Sequence, residues 1–336
     1  MLQAHHATLR EQKWQYETVM KEQSYSDYNK ATFTWRHLFH KLCFEQMIEN
    51  LPLTEDFKLM YDYINKLGSS IEVLRISQID KRALKSNSYW LMAIVAKMPA
   101  LKMIKLNYKR NPFGAEGWKF FLKGMNYMHQ NGRELQKFEM NHCDCIGEPL
   151  YAVLKLHPNL TVLKFTNLSL GTADAKAIGK VLADFKMIKE LDLRRANLNV
   201  TTTKDIADGL MRAKQLEVIK LGGNTNMGKS VNAIIYNLAF SPKIKFIELE
   251  QMAGKDTETA EALFKLISIS GSIEYLSLLN CDIVTVLSED FYKAVGMSKT
   301  LTYLNLNLNS QTCGTAGTLG KAIGMNARKN GNLKSV

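Results

Sequence analysis

The sequence has few cysteines and no long apolar run. Five cysteines in 336 residues are too few for the disulfide framework of a small secreted protein, so we expect a reducing compartment. No apolar run approaches the roughly 18–20 residues that a membrane-spanning helix needs. The first residues, MLQAHHATLREQKWQY, lack the apolar core of a secretory signal. With 46% hydrophobic and 23% charged residues, the composition is that of an ordinary globular protein.

Short catalytic motifs are also missing. The sequence contains no nucleophile elbow, no H-E-x-x-H zinc motif, no dinucleotide fingerprint and no convincing pair of catalytic acids. We therefore expect a protein that is not an enzyme and that carries no cofactor.

The sequence is rich in positive charge, with a formal net charge of +12. Residues 1–70 contain 8 Lys and Arg against 9 Asp and Glu, so the remainder, with 36 against 23, carries +13. Net charge informs about partners rather than about fold. Acidic protein surfaces and nucleic acid are both open as partners of the region after residue 70.

An internal repeat dominates that region. A run with apolar residues at its first, fourth and sixth places recurs as IEVLRI (71), LKMIKL (101), LQKFEM (135), LTVLKF (160), IKELDL (188), LEVIKL (216), IKFIEL (244), IEYLSL (273) and LTYLNL (301). Successive runs begin 30, 34, 25, 28, 28, 28, 29 and 28 residues apart, and a tenth begins at Leu333. A fixed period of this length is typical of stacked-repeat proteins.

Helical segments separate these runs. In AKAIGKVLADF (175–185) the apolar residues recur at the three- and four-residue spacing of one buried helical face. Each unit is thus predicted to be a short strand, a turn and a helix. Because one unit cannot bury both of its faces alone, neighbouring units are expected to stack into a curved solenoid, with parallel strands inside and helices outside.

These units resemble the leucine-rich repeats of the ribonuclease-inhibitor type, whose core is L-x-x-L-x-L-x-x-N/C. The resemblance covers residues 71–336 and implies an α/β solenoid of nine repeats and a partial tenth. At the ninth place, where that family has Asn or Cys, this sequence has Cys143, Asn224, Cys281 and Asn309. That side chain is expected to satisfy backbone groups freed where the strand turns away. Other repeats depart from the pattern, with Lys109, Leu168, Ala196 and Met252 at this place and Asn167 and Asn197 displaced by one residue.

The stretch GGNTNMGKS (222–230) matches the phosphate-binding P-loop pattern G-x-x-x-x-G-K-S. The repeat explains the same residues differently, since Asn224 falls on the ninth place and Gly228 on the turn before the helix. Every unit needs such a turn, so we expect no nucleotide site.

Two groups of residues have metal-ligand chemistry. HCDC (142–145) contains His, Cys, Asp and Cys, and His37, His40 and Cys43 lie close together on a predicted helix. A structural zinc site commonly needs a second pair of ligands, and Cys143 is already assigned to the ninth place. We therefore expect no metal site.

The repeat also predicts which side chains line the inner, concave face. Side chains alternate along a strand, so the third, fifth and seventh places should point away from the apolar core. The third place is aromatic in the last three full repeats, at Phe246, Tyr275 and Tyr303. We predict that these aromatics anchor a partner protein and that Arg194 and Lys220 flank them. The alternative is that the rings only pack against one another along neighbouring strands.

Both ends of the chain differ from the repeats. Residues 7–23, 35–49 and 54–67 have helical patterns, and 24–34 has the composition of a linker. We expect an N-terminal helical arm at 1–34, a helical cap at 35–70 that closes the first repeat, and the solenoid at 71–336. The chain stops inside its tenth repeat, so we expect either a truncated chain or an edge that a partner covers.

The resemblance and the charge together suggest a non-catalytic interaction scaffold in a multi-subunit, cytoskeletal or axonemal assembly. Its partner would have an acidic surface, as tubulin does, and its location would be the cytoplasm, including the cilium. One alternative is a structural subunit of an RNA-containing particle such as a mitochondrial ribosome, which would place it in the mitochondrion. A third, implied by the fold family alone, is a GTPase regulator similar to the Ran GTPase activator.

Overall fold

A computed structural model describes residues 32–34, 72–77, 98–107, 114–143, 148–252, 256–310 and 313–335. The chain divides into two compact units, which are described one at a time. The first comprises 1–107 and 112–133, and the second 108–111 and 134–336. The predicted helices at 7–23, 35–49 and 54–67, and with them most of the arm and all of the cap before residue 71, lie outside the described residues.

The described residues of the first unit form three parallel strands in chain order and one long helix. The strands are β1 (Thr32–Thr34), β2 (Val73–Ser77) and β3 (Met103–Asn107), and the helix is α1 (Gly114–Gln130). Trp118, Phe121, Met125 and Met128 form the buried face of α1. The strand β1 falls in the segment predicted to be a linker. Its sequence, Thr-Phe-Thr, consists of β-branched and aromatic residues that favour a strand.

Where the structure describes the second unit, seven parallel strands follow one another across the sheet in chain order. They are β4 (Lys137–Asn141), β5 (Val162–Thr166), β6 (Glu190–Asp192), β7 (Val218–Lys220), β8 (Phe246–Glu248), β9 (Tyr275–Ser277) and β10 (Tyr303–Asn305). The third place of each repeat pairs with the third place of the next, from Lys137 with Val162 to Tyr275 with Tyr303. The register therefore does not slip between repeats.

A helix follows each strand of the second unit. The helices are α2 (Glu148–Lys155), α3 (Thr172–Asp184), α4 (Val200–Leu210), α5 (Val231–Ala239), α6 (Thr257–Ile269), α7 (Glu289–Met297) and α8 (Cys313–Lys329). Each packs against the helix of the next repeat. Side chains cap three of them, because Asn199, Asp256 and Ser288 accept hydrogen bonds from backbone N–H groups in the first turns of α4, α6 and α7. No helix of the described residues is long and apolar enough to cross a membrane.

The core of the second unit lies between the sheet and these helices. The first, fourth and sixth places of its seven strand-containing repeats are all buried, as the periodicity predicted. In the repeat of β5 these residues are Leu160, Leu163 and Phe165, each fully buried. Burying one such side chain stabilises the fold by about 1.5–3 kcal/mol, so the repeated apolar triplet supplies the main stabilisation of each unit.

The ninth place has the predicted role. Asn224 is 1% exposed and accepts hydrogen bonds from the N–H groups of Ala196 (3.0 Å) and Leu198 (3.1 Å). Its amide donates to the carbonyls of Leu193 (2.8 Å) and Leu221 (2.6 Å). Asn309 makes the equivalent bonds three repeats further on, to the backbones of Cys281, Ile283, Leu278 and Leu306. Each Asn thereby joins the turn of its own repeat to the preceding one.

The eighth place has a conformation that the sequence did not indicate. In all seven repeats of the second unit its φ is positive, from 51° to 77°, at His142, Asn167, Arg195, Gly223, Gln251, Asn280 and Leu308. Only one of the seven is glycine. The turn after each strand therefore needs the left-handed region whatever residue occupies it.

Candidate functional site

The strand face of the second unit consists of the third, fifth and seventh places of its strands, on the side opposite the helices. The three predicted aromatic anchors lie there as one continuous stack. The rings of Phe246 and Tyr275 have centroids 4.0 Å apart and an interplanar angle of 9°. Those of Tyr275 and Tyr303 are 4.4 Å apart at 3°. The in-register parallel pairing of β8, β9 and β10 produces this stack, because it repeats the same place at each strand.

Lys220 adjoins this aromatic stack. Its ammonium lies 5.4 Å from the centroid of the Phe246 ring, within cation–π range. The same ammonium is 3.7 Å from a carboxylate oxygen of Glu190. The structure therefore brings four of the five predicted site residues together. Burial within this stack raises the pKa of the Tyr275 hydroxyl, and the neighbouring Tyr303 raises it further.

Arg194 belongs to a different cluster. Its guanidinium donates two hydrogen bonds to Asp192, from Nε at 3.0 Å and from Nη2 at 2.7 Å, and its Nε lies 3.9 Å from Glu248. The hydrogen bonds to Asp192, which is 1% exposed, raise the pKa of Arg194. Arg194 is thus held by acids of its own chain, which weakens the prediction that it flanks the aromatic anchors.

Carboxylates crowd the middle of the strand face. Burial raises the pKa of Glu248, the nearby Arg194 opposes this, and Glu250 and Asp192 raise it further. Glu250 accepts a hydrogen bond of 2.7 Å from the hydroxyl of Ser277. On neighbouring strands the ammonium of Lys164 lies 3.0 Å from Glu190 and 3.6 Å from Glu139. The charges of this face are therefore largely paired with one another.

The fifth place of the strand face is mostly buried. Five of its seven residues in the second unit are buried, namely Glu139, Asp192, Glu248, Ser277 and Asn305. Parallel strands lie only about 4.8 Å apart, so residues in one column cover one another. Hydrogen bonds and ion pairs make the burial of these polar side chains tolerable.

The P-loop-like stretch forms part of the repeat. Gly223 and Gly228 have φ values of 77° and 52°, and Gly228 begins a 3₁₀ turn that leads directly into α5. Lys229, the lysine of the pattern, forms an exposed ion pair of 3.0 Å with Glu258 of the next repeat. The predicted roles of Asn224 and Gly228 are thus confirmed.

The candidate metal ligands are only partly described. Cys143 is buried and its thiol lies 3.4 Å from the carbonyl oxygen of Asn141, as expected of the ninth place. Asp144, Cys145 and the trio His37, His40 and Cys43 lie outside the described residues. Among the residues that the structure does describe, no group of three or more His, Cys, Asp or Glu is arranged to hold a metal ion.

Comparisons with known proteins returned similar structures only. No protein-family model matches the chain, and no curated protein matches it. The tropomodulin C-terminal domain of Caenorhabditis elegans is similar over 46% of this chain and 95% of its own, at 15% identity and a TM-score of 0.39. Actin-binding site 2 of leiomodin-1 is similar over 48% and 92%, at 14% identity and a TM-score of 0.38. The leucine-rich-repeat protein LegL7 of Legionella pneumophila is similar over 79% and 94%, at 12% identity and a TM-score of 0.43.

The fold is identified from the repeat spacing, the strand register and the asparagine hydrogen bonds of this chain. Strands and helices alternate with a spacing close to 28 residues, the parallel strands stay in register, and Asn224 and Asn309 link successive turns. These are the features that the resemblance implied. The chain has the leucine-rich-repeat fold of the ribonuclease-inhibitor type.

Proposed function

We propose that this protein is a non-catalytic interaction scaffold and that a partner protein binds its strand face at Phe246, Tyr275 and Tyr303. The observation that carries the proposal is the aromatic stack. Its rings are half-buried and lie within 9° of parallel. Aromatic residues held rigidly in a partly desolvated patch lose little entropy on binding, and such residues dominate the energetics of protein interfaces.

The charges of the strand face support a protein partner over nucleic acid. A nucleic-acid surface needs a stripe of cations that are free to meet phosphates. Here Lys164, Lys220 and Arg194 each lie within 4 Å of acids on the same face. The RNA-particle alternative therefore has no support from this face, and the GTPase-regulator alternative has none from the residues described.

The excess positive charge of the chain supports a partner with an acidic surface. A net charge of +12 accelerates association with acidic proteins through long-range attraction. We extend the proposal to a cytoplasmic, multi-subunit assembly of cytoskeletal type, such as an axonemal one, where the chain would act as a structural subunit.

The first experiment is size-exclusion chromatography of native extract from the source cells, with and without nuclease, followed by mass spectrometry. A complex that survives nuclease supports the proposal, and its proteins identify the partner. Release by nuclease overturns it in favour of the RNA particle. Phe246→Ala with Tyr303→Ala should then release the partner, whereas Tyr127→Ala, which alters an exposed aromatic of the first unit, should retain it.

A further inference from the structure

A second surface lies at the C-terminal ends of the helices. Four large apolar residues end α4 to α7 or follow them directly, and all are exposed: Met211 (54%), Phe240 (63%), Ile269 (47%) and Met297 (57%). We call these four residues the helix-end row. Single exposed apolar residues are ordinary, but a large exposed apolar residue at the same end of the helix in four consecutive repeats is not.

The packing of the helices aligns the row. The helices α4, α5, α6 and α7 contact one another in that order, and packed helices lie about 8–10 Å apart. Because each residue of the row occupies the same end of its helix, the four form a line about 25–30 Å long at that spacing.

The helix end does not require an exposed apolar residue. In α3 the last helical residue, at the position of Ile269 in α6 and Met297 in α7, is Asp184, which is polar and exposed. A polar side chain at this end of the helix is thus compatible with the fold. Placing large apolar side chains there in four repeats gives up apolar burial, which a binding surface recovers when a partner covers it.

Cations border the row. Lys186, Arg212, Lys214, Lys243 and Lys299 are exposed in the segments that join the helices to the next strands. Within the part of the chain that the structure describes, Lys186, Lys214 and Lys299 have no acidic partner, whereas Lys189 and Lys245 pair with Glu217 (3.6 Å) and Glu274 (3.1 Å). Cations near helix C-termini also complement the helix dipole. That effect explains the cations but not the apolar residues beside them.

We infer that the helix-end row binds an acidic amphipathic helix of a partner protein. One heptad of a helix rises about 10.5 Å, close to the separation of neighbouring helices, so one apolar residue per heptad would meet successive members of the row. Acidic residues beside that stripe would face the bordering cations. Two of the four members of the row are methionines, which adapt to varied helical ligands.

The shape of the surface favours a helix over an anionic membrane. The row is one side chain wide, and its cations lie along it between successive repeats. A bilayer surface is recognised by a broad apolar face with Lys and Arg around it, whereas a single line of anchors matches the stripe of one helix.

Fluorescence anisotropy on the full chain tests this inference. The probe is a labelled, stapled three-heptad peptide with Leu once per heptad and Glu beside the stripe, and its counterpart has Lys in place of Glu. We expect the Glu peptide to bind at least about tenfold more tightly than the Lys peptide, and Phe240→Ser with Met297→Ser to weaken it about tenfold or more. Added salt should weaken binding as well.

Two controls isolate the surface. Val200→Ser removes an exposed apolar residue (59% exposed) from the opposite end of α4 and should leave peptide binding unchanged. Tyr303→Ala alters the strand face and should also leave it unchanged, so failure of this inference is distinguishable from failure of the proposed function.

Three outcomes overturn the inference. The first is equal binding of the Glu and Lys peptides, and the second is absence of binding by the Glu peptide. The third is binding to vesicles of phosphatidylcholine with phosphatidylserine that the Phe240→Ser, Met297→Ser variant loses, which would make the row a membrane-contact surface.

Discussion

Gly179 of α3 and Gly209 of α4 meet where these two helices pack. A Cβ atom placed on Gly209 would lie 2.3 Å from the carbonyl oxygen of Gly179, and one placed on Gly179 would lie 2.3 Å from the carbonyl oxygen of Asp205. Both distances are far below van der Waals contact. The two backbones approach this closely only because neither residue has a side chain.

Gly179→Ala should therefore destabilise the protein. Overpacking of a well-packed contact costs about 1–3 kcal/mol or more, which exceeds the gain in helix propensity of about 1 kcal/mol. Gly320→Ala in α8 is the matched control, since no heavy atom lies within 4 Å of its Cβ position, and it should stabilise by about 0.5–1 kcal/mol. Urea unfolding measures both. Equal stability of the two variants would contradict the close approach.

Asn224→Ala should be among the most destabilising single changes in the second unit. It removes four hydrogen bonds at a side chain that is 1% exposed and leaves two N–H groups and two carbonyls to find other partners. We expect a loss of about 3 kcal/mol or more in the free energy of unfolding, because each orphaned buried group costs about 1–3 kcal/mol. Asn226→Ala, at an exposed position with one contact of 3.5 Å, should change it by less than about 0.5 kcal/mol.

Leu308→Gly should stabilise the turn after β10. Leu308 is 76% exposed with φ at 57°, and the left-handed region costs a side-chain-bearing residue about 1–2 kcal/mol. Part of that gain is offset by the greater freedom of glycine in the unfolded chain, about 0.4–1 kcal/mol. Leu308→Ala keeps the strain, so it should not share the gain. Thermal unfolding of both variants checks this, and a stabilising alanine would show that the lost leucine side chain, not φ, is responsible.

The aromatic stack should contribute to stability as well as to binding. Tyr275 contacts both Phe246 and Tyr303, and an aromatic pair adds about 0.5–1.5 kcal/mol beyond area burial. A double-mutant cycle with Phe246→Leu and Tyr275→Leu should show coupling of that size. The corresponding cycle of Phe246→Leu and Tyr303→Leu should show much less, because Tyr275 separates those rings. Similar coupling in both cycles would contradict a simple stack.

Much of this fold was predictable because its signal is periodic. The apolar triplets, the ladder role of Asn224 and the turn at Gly228 all follow from position within the repeat. The helix-end row carries the same signal, since Met211, Phe240, Ile269 and Met297 recur at intervals of 29, 29 and 28 residues. These residues lie at the ends of the helices, outside the strand motif whose places defined the repeat, so the strand pattern does not single them out.

Other features depend on three-dimensional packing. The left-handed eighth place contains His, Asn, Arg, Gly, Gln and Leu, so composition gives no indication of its conformation. Asp192 and Glu248 have the polarity of surface residues, yet they are buried beside Arg194. Which acid meets which cation depends on side-chain directions across three strands, and spacing along the chain does not determine them.

Asp256 gives the stability a defined pH dependence. It caps α6 by accepting a hydrogen bond of 2.7 Å from the backbone N–H of Thr259, and this bond lowers the pKa of Asp256. A lowered pKa in the folded state means that the carboxylate stabilises the fold above its unfolded pKa of about 3.9. This stabilisation is lost as the pH falls through the folded pKa. Asp256→Ala should thus cost about 1 kcal/mol at pH 7.

That cost should shrink as the pH falls below about 4, because the wild-type carboxyl group becomes protonated and accepts the Thr259 hydrogen bond less strongly. Asp256→Asn keeps an uncharged cap and should show a small, nearly constant cost over the same range. The measurement is the free energy of urea unfolding of the three proteins between pH 2.5 and 7, both limits about one unit or more from the unfolded pKa. A difference between wild type and Asp256→Ala that stays constant over this range would mean that the ionised cap does not stabilise α6.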